Sequence, residues 1–505
     1  MLGLTSSSLT KLEQVDGNES EVQQEEGHVE ESEHTEEEER RLVRKLDRRI
    51  LPIACLLYLC AYLDRSNLGN ARLQGLPEDV LGGDRTGELF DWVVSVFYIS
   101  YILFQIPATI ISKLFPPSVW MACAAIGWGS ASTLMATASS FGALVVCRLL
   151  IGVFEAGFGP SLPLYLSYFF TKSEMGLRMA YWFAFATVAG SIGGFIAFGI
   201  QNIQTSIAHW RLLFVVEGIP PIMLGVLTIF ILPNRPESTS FLNERERKIA
   251  LARMNRATRG DVGATVNKAH IALAFQDWRV YTGGVIYFGL NCALASISAF
   301  LPTIITTFGH TPALAQLLTV PPYVTASVVL ISFSWASDVL QSRGLFMTIA
   351  SCISGVGYLI LLNVTTNMNV RYFATFCITS GTYTTIGITI AWFAHNLGSE
   401  TKKATGMPIF MAIGQCGSIL GSHIFPKAEG PAYTIHYAAK DSRAANHPLV
   451  SCFLAFLAAG CSAFLSMSYR RENAYRDRVH GKVDPLAPVD TRELADKAPE
   501  FRYMP

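Results

Sequence analysis

The sequence predicts an all-α membrane protein with twelve transmembrane helices in two pseudo-symmetric six-helix bundles. Three observations carry that prediction. Half of the 505 residues are hydrophobic, only 15% are charged and the mean hydropathy is +0.34, a balance that soluble globular chains rarely show. Apolar segments near the roughly 20 residues that cross a bilayer as a helix fall six before and six after one long polar interval. Lys and Arg gather in alternate connections, as they do in loops that share the cytoplasmic side.

Taken in order, residues 1–41 are rich in Glu, Ser and Gln with few large apolar side chains, so this acidic cytoplasmic tail is expected to be disordered. It separates Met1 from the first apolar segment, and no cleavable signal peptide is visible. The basic run Arg40 to Arg49 leads into the N-terminal bundle, residues 42–232, with apolar segments at 50–68, 88–111, 118–138, 141–168, 177–201 and 211–232. Residues 233–278 open with Pro233-Asn234-Arg235-Pro236 and continue as a charged, helix-prone stretch from Asn243 to Arg256, the composition of a cytoplasmic linker. The C-terminal bundle, residues 279–468, follows with segments at 279–307, 313–336, 343–363, 370–394, 402–425 and 447–468, and residues 469–505 form a second cytoplasmic tail.

Lys113, Lys172 to Arg178, Gln341 to Arg343 and Lys402/Lys403 lie in connections that share a side with the linker and both ends. The opposite connections run from the acidic Pro77–Glu88 to the nearly uncharged Ala136–Ser140, Thr306–Thr311 and Asn363–Asn369, so both termini are expected in the cytoplasm. The sequon Asn363-Val364-Thr365 sits in an outer turn too tight to be a good acceptor, and Asn18-Glu19-Ser20 would be cytoplasmic. All ten cysteines lie in apolar segments as small hydrophobes, and no disulfide framework or metal site is implied.

Six spans, a charged linker and six more spans is the layout of a transporter whose substrate site lies between two halves near the midplane. A membrane-embedded enzyme would need a clustered catalytic set, and there is no His-rich box, HExxH or GxSxG. Nothing calls for a cofactor or a nucleic-acid partner, and the expected working unit is a monomer in the bilayer.

Charges within apolar segments are the candidates for chemistry, because an ion at bilayer depth is costly unless it faces the protein interior. In Phe141–Phe170, Arg148 and Glu155 are seven residues apart, which places them on one helix face about 10 Å apart along the axis. The plain alternative is a structural ion pair with a neighbouring helix. Asp64 and Arg65 end the first segment. Glu88 and Asp91 open the second, where they fit solvated residues favoured by the helix dipole, and Glu217, beside Trp210-Arg211, fits a structural pair. The second half instead carries neutral groups such as Asn291, Ser298, Thr379, Gln415 and Ser418, with His395 and His423.

The first half is therefore expected to handle protons and charge, and the second to supply hydrogen bonds and shape. Asp64 or Glu155 close to Arg65 or Arg148 suits proton binding and release, since burial and a neighbouring cation act on a carboxyl in opposite senses. Arg65 can donate two parallel hydrogen bonds to a carboxylate, although a long side chain at a helix end can also reach for headgroups. Glycines at 190, 193, 194 and 199, and at 406, 414, 417 and 421, place small faces where helices approach closely. Ser337-Asp338 with Arg343-Gly344 reads as a gate between cytoplasmic helix ends.

Leu59–Ala71 (LCAYLDRSNLGNA), Arg148–Gly157 (RLLIGVFEAG), Trp210–Gly218 (WRLLFVVEG) and Leu232–Glu237 (LPNRPE) together resemble the major facilitator superfamily. More narrowly they resemble the fungal allantoate-permease branch of the anion:cation symporters, which includes nicotinate, pantothenate, biotin and allantoate carriers. The resemblance covers residues 42–468, and the tail ending Phe501-Arg502-Tyr503 is similar to that branch as well. It implies the major facilitator fold, a titrating Asp64, an Arg65 that holds the substrate carboxylate, and a second proton site at Glu155 tuned by Arg148. Tyr62, Tyr101, Gln105 and Gln415 match substrate-contact positions, and Asn291 joins them from the second half.

Two departures stand out. The turn Ile111–Ser118 (ISKLFPPS) lacks the Asp of the superfamily's gating motif, which leaves Asp338 with Arg343 to represent the gate. The outer segment Glu429–His447 is unlike the usual short, Arg-containing version. The expected function is proton-coupled uptake of a small organic anion, a carboxylate vitamin or nitrogenous acid such as nicotinate, pantothenate or allantoate, at the plasma membrane. The alternatives are an exporter of an acidic metabolite and a nutrient-sensing receptor; organophosphate antiport is disfavoured because the seventh segment holds no internal Arg.

Overall fold

The structure, a computed structural model, describes residues 35–84, 87–257, 267–306, 309–364, 367–423, 447–483, 489–491 and 493–505. Most of the acidic tail, the sequon at Asn18, Thr365 of the second sequon and the outer segment from Glu429 to Asn446 lie outside those residues.

The first bundle is built from α1 (Glu36–Leu73), a short α2 (Leu76–Val80), α3 (Glu88–Ser112), α4 (Pro117–Met135), α5 (Phe141–Ala156) continued by α6 (Ser161–Leu166), α7 (Lys172–Gln201) and α8 (His209–Ile231). Two linker helices follow, α9 (Glu244–Ala257) and α10 (Lys268–Gln276). The second bundle comprises α11 (Trp278–Thr306), α12 (Pro312–Leu317) continued by α13 (Val320–Val339), α14 (Arg343–Asn363), α15 (Met368–Asn396), α16 (Glu400–His423) and α17 (His447–His480). Among the described residues, nine helical segments are long and apolar enough to cross a membrane, and α1, α4 and α15 complete the twelve by packing among them.

Two boundaries differ from the sequence reading. α1 starts at Glu36, inside the stretch expected to be disordered, because Thr35 and Glu38 form a reciprocal capping box (3.3 and 3.2 Å) and four glutamates complement the dipole of the first turn. The fourth span is broken between α5 and α6 at Gly157-Phe158-Gly159-Pro160, where proline removes a backbone donor. The indole of Trp120 satisfies the carbonyl of Gly157 at 2.7 Å.

Within the first bundle α1 packs on α7 and α8, α4 on α5 and α8, and α3 on α5; in the second, α11 packs on α16 and α17, α14 on α15 and α17, and α13 on α15. The bundles meet along α3–α16, α7–α13, α7–α15 and α1–α11. Close approach of α16 to α11 depends on glycine, since a Cβ at Gly417 or Gly421 would lie 3.1 Å from the Cα of Phe288 or Cys292.

The linker helices divide between the bundles. α9 docks on the first: Lys45 meets Glu246 at 2.7 Å, and buried Arg253 binds Glu174 at 3.0 Å and the carbonyl of Phe169 at 2.7 Å. Burial works against the Glu246 charge, but the bonds from Lys45 and the Asn243 amide outweigh it and hold the carboxyl below its ordinary range. α10 meets the second bundle, with His270 against Ser399 at 2.9 Å.

The C-terminal tail folds back on the same side. Lys402, a loop cation in the sequence reading, is fully buried between Asp277 (2.7 Å) and Asp496 (2.5 Å). Trp392 and Asn396 donate to the carbonyl of Met504 at 2.7 and 3.1 Å, and the Tyr503 ring lies under Arg279 and Arg476.

Candidate functional site

Asp64 and Arg65 are consecutive on α1, so their side chains leave the helix about 100° apart and meet different neighbours. Asp64 turns to α4, where the hydroxyl of Ser132 donates to Oδ1 in a very short hydrogen bond; Oδ2 has no hydrogen-bond partner among the described residues. Arg65 turns across to the end of α5, and its Nη2 and Nε reach Glu155 Oε2 at 2.6 and 2.7 Å. The Arg65 side chain is 18% exposed and that of Glu155 1%, so the guanidinium points into the protein and not toward headgroups. Its Cζ lies 5.0 Å from the Phe97 ring centroid and 4.9 Å from that of Tyr101.

Arg148 shares the helix face of Glu155 yet does not hydrogen-bond to it. Its Nη1 donates to the carbonyl of Asp64 (3.2 Å) and its Nε to that of Val93 (3.3 Å). The direct contact to Glu155 therefore comes from Arg65 and not from Arg148, which was expected to tune it. The cause is close packing of α5 on α3 at Gly152, where a Cβ would lie 3.2 Å from the Tyr101 amide; this brings the guanidinium against backbone carbonyls.

The other expected contacts are placed unevenly. Tyr62 spans the bundles, bonding Ser298 Oγ at 2.9 Å and, very closely, the hydroxyl of Tyr383. Tyr101 is buried beside Arg65, and Gln105 is fully buried with neither amide atom bonded among the described residues. Gln415 accepts from Ser418 at 3.1 Å, and Ser418 in turn meets Tyr98. Asn291 donates to the carbonyl of Tyr287 in its own helix at 2.8 Å, so it braces α11 while the Tyr287 ring comes within electrostatic reach of Arg65.

Two readings of the sequence are corrected. Asp91 is buried, not solvated, because the preceding turn already caps α3: Asp84 accepts from the amides of Gly87 and Phe90 at 3.0 Å each. Glu217 has no ion pair with Arg211. Arg211, near the start of α8, reaches out to Asp79 (3.2 Å) and the Ala136 carbonyl (2.8 Å), whereas Glu217 lies deeper, 2% exposed, with both carboxyl oxygens unbonded among the described residues. Phe97, Tyr98 and Tyr383 were also missed. Phe97, Tyr101 and Gln105 recur every fourth residue, a spacing that marks one helix face.

The bundles touch at both ends and in the middle. On the side away from the linker, Ser95 meets Ser422 (2.6 Å) and His423 (2.9 Å). On the linker side, Lys113 reaches Thr401 at 3.4 Å, and Gly176 of α7 sits against the Asp338–Arg343 pair, itself 2.9 Å apart and tied by Arg343 to the carbonyl of Ala391 at 2.7 Å. Halfway between, Thr187 and Ser327 are hydrogen-bonded. The bundles are thus in contact on both sides of the Arg65–Glu155 pair among the described residues.

Two six-helix bundles closed around buried ions define a multi-pass membrane transporter that takes a small molecule. The chain belongs to the Major Facilitator Superfamily, whose family model matches residues 54–422. It is 33% identical over 480 residues to the Major facilitator-type transporter hxnP of Emericella nidulans, covering 93% of this chain and 94% of that one. It is 31% identical over 471 residues to the high-affinity nicotinic acid transporter of Saccharomyces cerevisiae, covering 92% and 85%. Among solved structures, the proton:xylose symporter XylE with bound 6-bromo-6-deoxy-D-glucose matches at a TM-score of 0.62 and 12% identity over 90% of this chain and 99% of its own. The human organic anion transporter MFSD10 matches at 0.57 and 13% over 83% and 98%. At those identities the likeness is one of fold.

Proposed function

We propose that this transporter is a proton-coupled importer of a small organic anion, a carboxylate vitamin or nitrogenous acid such as nicotinate, pantothenate or allantoate. We place it at the plasma membrane, as a monomer, with both termini in the cytoplasm. The observation that carries the reading is the buried Arg65–Glu155 pair, ringed by Phe97, Tyr101 and the tyrosines that bridge the bundles. Glu155 occupies the guanidinium fork that a substrate carboxylate would fill, and the two carboxyls compete for one cation. Protonating Glu155 removes its charge and frees the fork, so proton and anion enter together; losing the proton restores the internal pair and expels the anion. Asp64, on the other side of the same helix turn, is the second titrating carboxyl. The Asp338–Arg343 pair under Gly176 serves as the linker-side gate. Similarity to a nicotinic acid transporter supports a carboxylate as cargo.

Uptake of radiolabelled nicotinate, pantothenate and allantoate into proteoliposomes, with acidic or neutral medium outside, tests the reading. Acid-stimulated accumulation of at least one is expected, and none for any carboxylate overturns it. Glu155→Gln, which fixes the neutral state, is expected to abolish gradient-driven accumulation while retaining exchange of labelled for unlabelled substrate. Unchanged accumulation would return Glu155 to a structural role.

A further inference from the structure

Glu217 is a buried acid that the mechanism above does not use. It sits in the third turn of α8, 2% exposed, with neither carboxyl oxygen hydrogen-bonded among the described residues. A surrounding of this kind accommodates an unpaired carboxylate poorly, since an uncompensated buried charge is among the most destabilising groups in a folded chain. The nearest cation in sequence, Arg211, is committed to Asp79. Asp64 lies within electrostatic reach of Glu217 across the α1–α8 contact, and the thiol of Cys60 is within reach of both.

Packing explains how the two acids come together. α8 and α4 touch backbone to backbone: a Cβ on Gly218 would lie 2.7 Å from the Thr133 amide, and one on Gly129 3.0 Å from the Gly218 carbonyl. Ser132, next to Thr133, gives its hydroxyl to Asp64 Oδ1, which leaves Oδ2 and both Glu217 oxygens without partners among the described residues. Of the cations about Asp64, Arg148 is bonded to its backbone carbonyl and Arg65 to Glu155, so neither side-chain carboxyl of the pair is neutralised by a direct ion pair.

We propose that Glu217 is a third proton-carrying carboxyl of the transport cycle and titrates together with Asp64, the acid held by Ser132. Two buried carboxyls that lack an ion pair and repel one another retain a proton between them, and the pair alternates between two protons and one. When the centre opens, one proton of the pair is lost to water and the negative charge it leaves stays on the pair. The role in transport rests on the proton-coupled reading above, but the presence of a proton on Glu217 does not.

The test uses the full chain reconstituted in lipid. Infrared difference spectra should show the C=O stretch of a protonated carboxyl at neutral pH that is missing in Glu217→Gln, kept in Glu217→Asp, and moved in frequency by Asp64→Asn. In proteoliposomes, a gradient of one pH unit supports about tenfold accumulation for one proton per anion. Glu217→Gln should bring accumulation to about onefold while substrate exchange continues, and Glu217→Asp should restore part of it. A glutamine mimics a permanently neutral, merely structural acid, so wild-type accumulation in Glu217→Gln, or a carboxyl band untouched by that change, overturns the proposal. If the wild type shows no gradient-driven uptake but the band is present and tracks Glu217, the transport reading fails and the protonated pair stands. Should Glu217→Gln not fold, the band shift in Asp64→Asn decides, and its absence refutes the pairing.

Discussion

Lys402→Met is the most direct test of the C-terminal clamp. The ammonium is fully buried, 2.7 Å from Asp277 and 2.5 Å from Asp496, whose side chains are only 7% and 2% exposed. Methionine approximates its length and leaves both carboxylates without their shared cation. Removing one partner of a buried ion pair destabilises by about 3–5 kcal/mol, because the remaining charge stays desolvated. Other donors soften the loss: the Tyr503 hydroxyl donates to Asp496 at 3.0 Å and the Arg279 amide to Asp277 at 3.0 Å, which places the expected effect toward the lower end, about 3 kcal/mol. Asp496→Asn should be milder, since Lys402 keeps Asp277. The double variant should be no worse than Lys402→Met alone, because it neutralises one of the two carboxylates left without Lys402, and the effects are then strongly non-additive. Thermal unfolding of the detergent-purified protein, followed by tryptophan fluorescence, reads the order. An unchanged midpoint for Lys402→Met, or a double variant equal to the sum of the singles, refutes the reasoning.

Other outcomes follow from the same contacts. Under the proposed reading, Arg65→Lys keeps the charge but not the planar fork, so the half-saturation concentration for substrate should rise by about tenfold, the equivalent of one lost charge-assisted bond; an unchanged value removes Arg65 from the site. Gly417→Leu should lower the thermal midpoint, since inserting side-chain bulk at a backbone contact costs about 1–3 kcal/mol or more, and a neutral result would mean α16 can move off α11 freely. The tether of α9 should loosen in acid. The Glu246 carboxyl titrates lower in the folded chain than its ordinary value of about 4.3, so its contribution is intact above that value and is lost as pH falls through the lower folded one. Hydrogen-exchange protection over Glu244–Ala257, corrected for the intrinsic rate at each pH, should fall in that window, and Lys45→Gln should weaken the pH dependence.

The twelve spans were legible because bilayer thickness imposes a length and a composition on each, and the buried ions because charges in such segments are rare. Helix ends were less so, although Thr35 with Glu38 and the run Gly157 to Pro160 were signals present in the chain and outweighed by bulk composition. Partners were legible only in part: Asp338 with Arg343, and Glu155 among the acids near Arg65 or Arg148, but not which acid takes which arginine. Which acid meets which cation depends on the rotation of four helices about their axes, and sequence neighbours mislead: Glu217 lies six residues from Arg211, but Arg211 pairs with Asp79. Lys402 counted as a loop cation because loop statistics cannot foresee that a tail almost a hundred residues later returns Asp496 to it.

This partner pattern separates two arginines that look equivalent in the sequence. Arg148 is held by the carbonyls of Val93 and Asp64, groups that never titrate, so no proton can release it and no anion can replace those bonds without stranding buried backbone acceptors. Arg65 is held by a carboxyl, whose hold ends when a proton arrives and whose place another carboxylate can take with the same geometry. Under the proposed reading, a fixed cation stands beside an exchangeable one, whose fork opens and closes as its carboxyl gains and loses a proton. On that same reading, the first half would couple proton to anion with its second arginine never leaving its backbone partners.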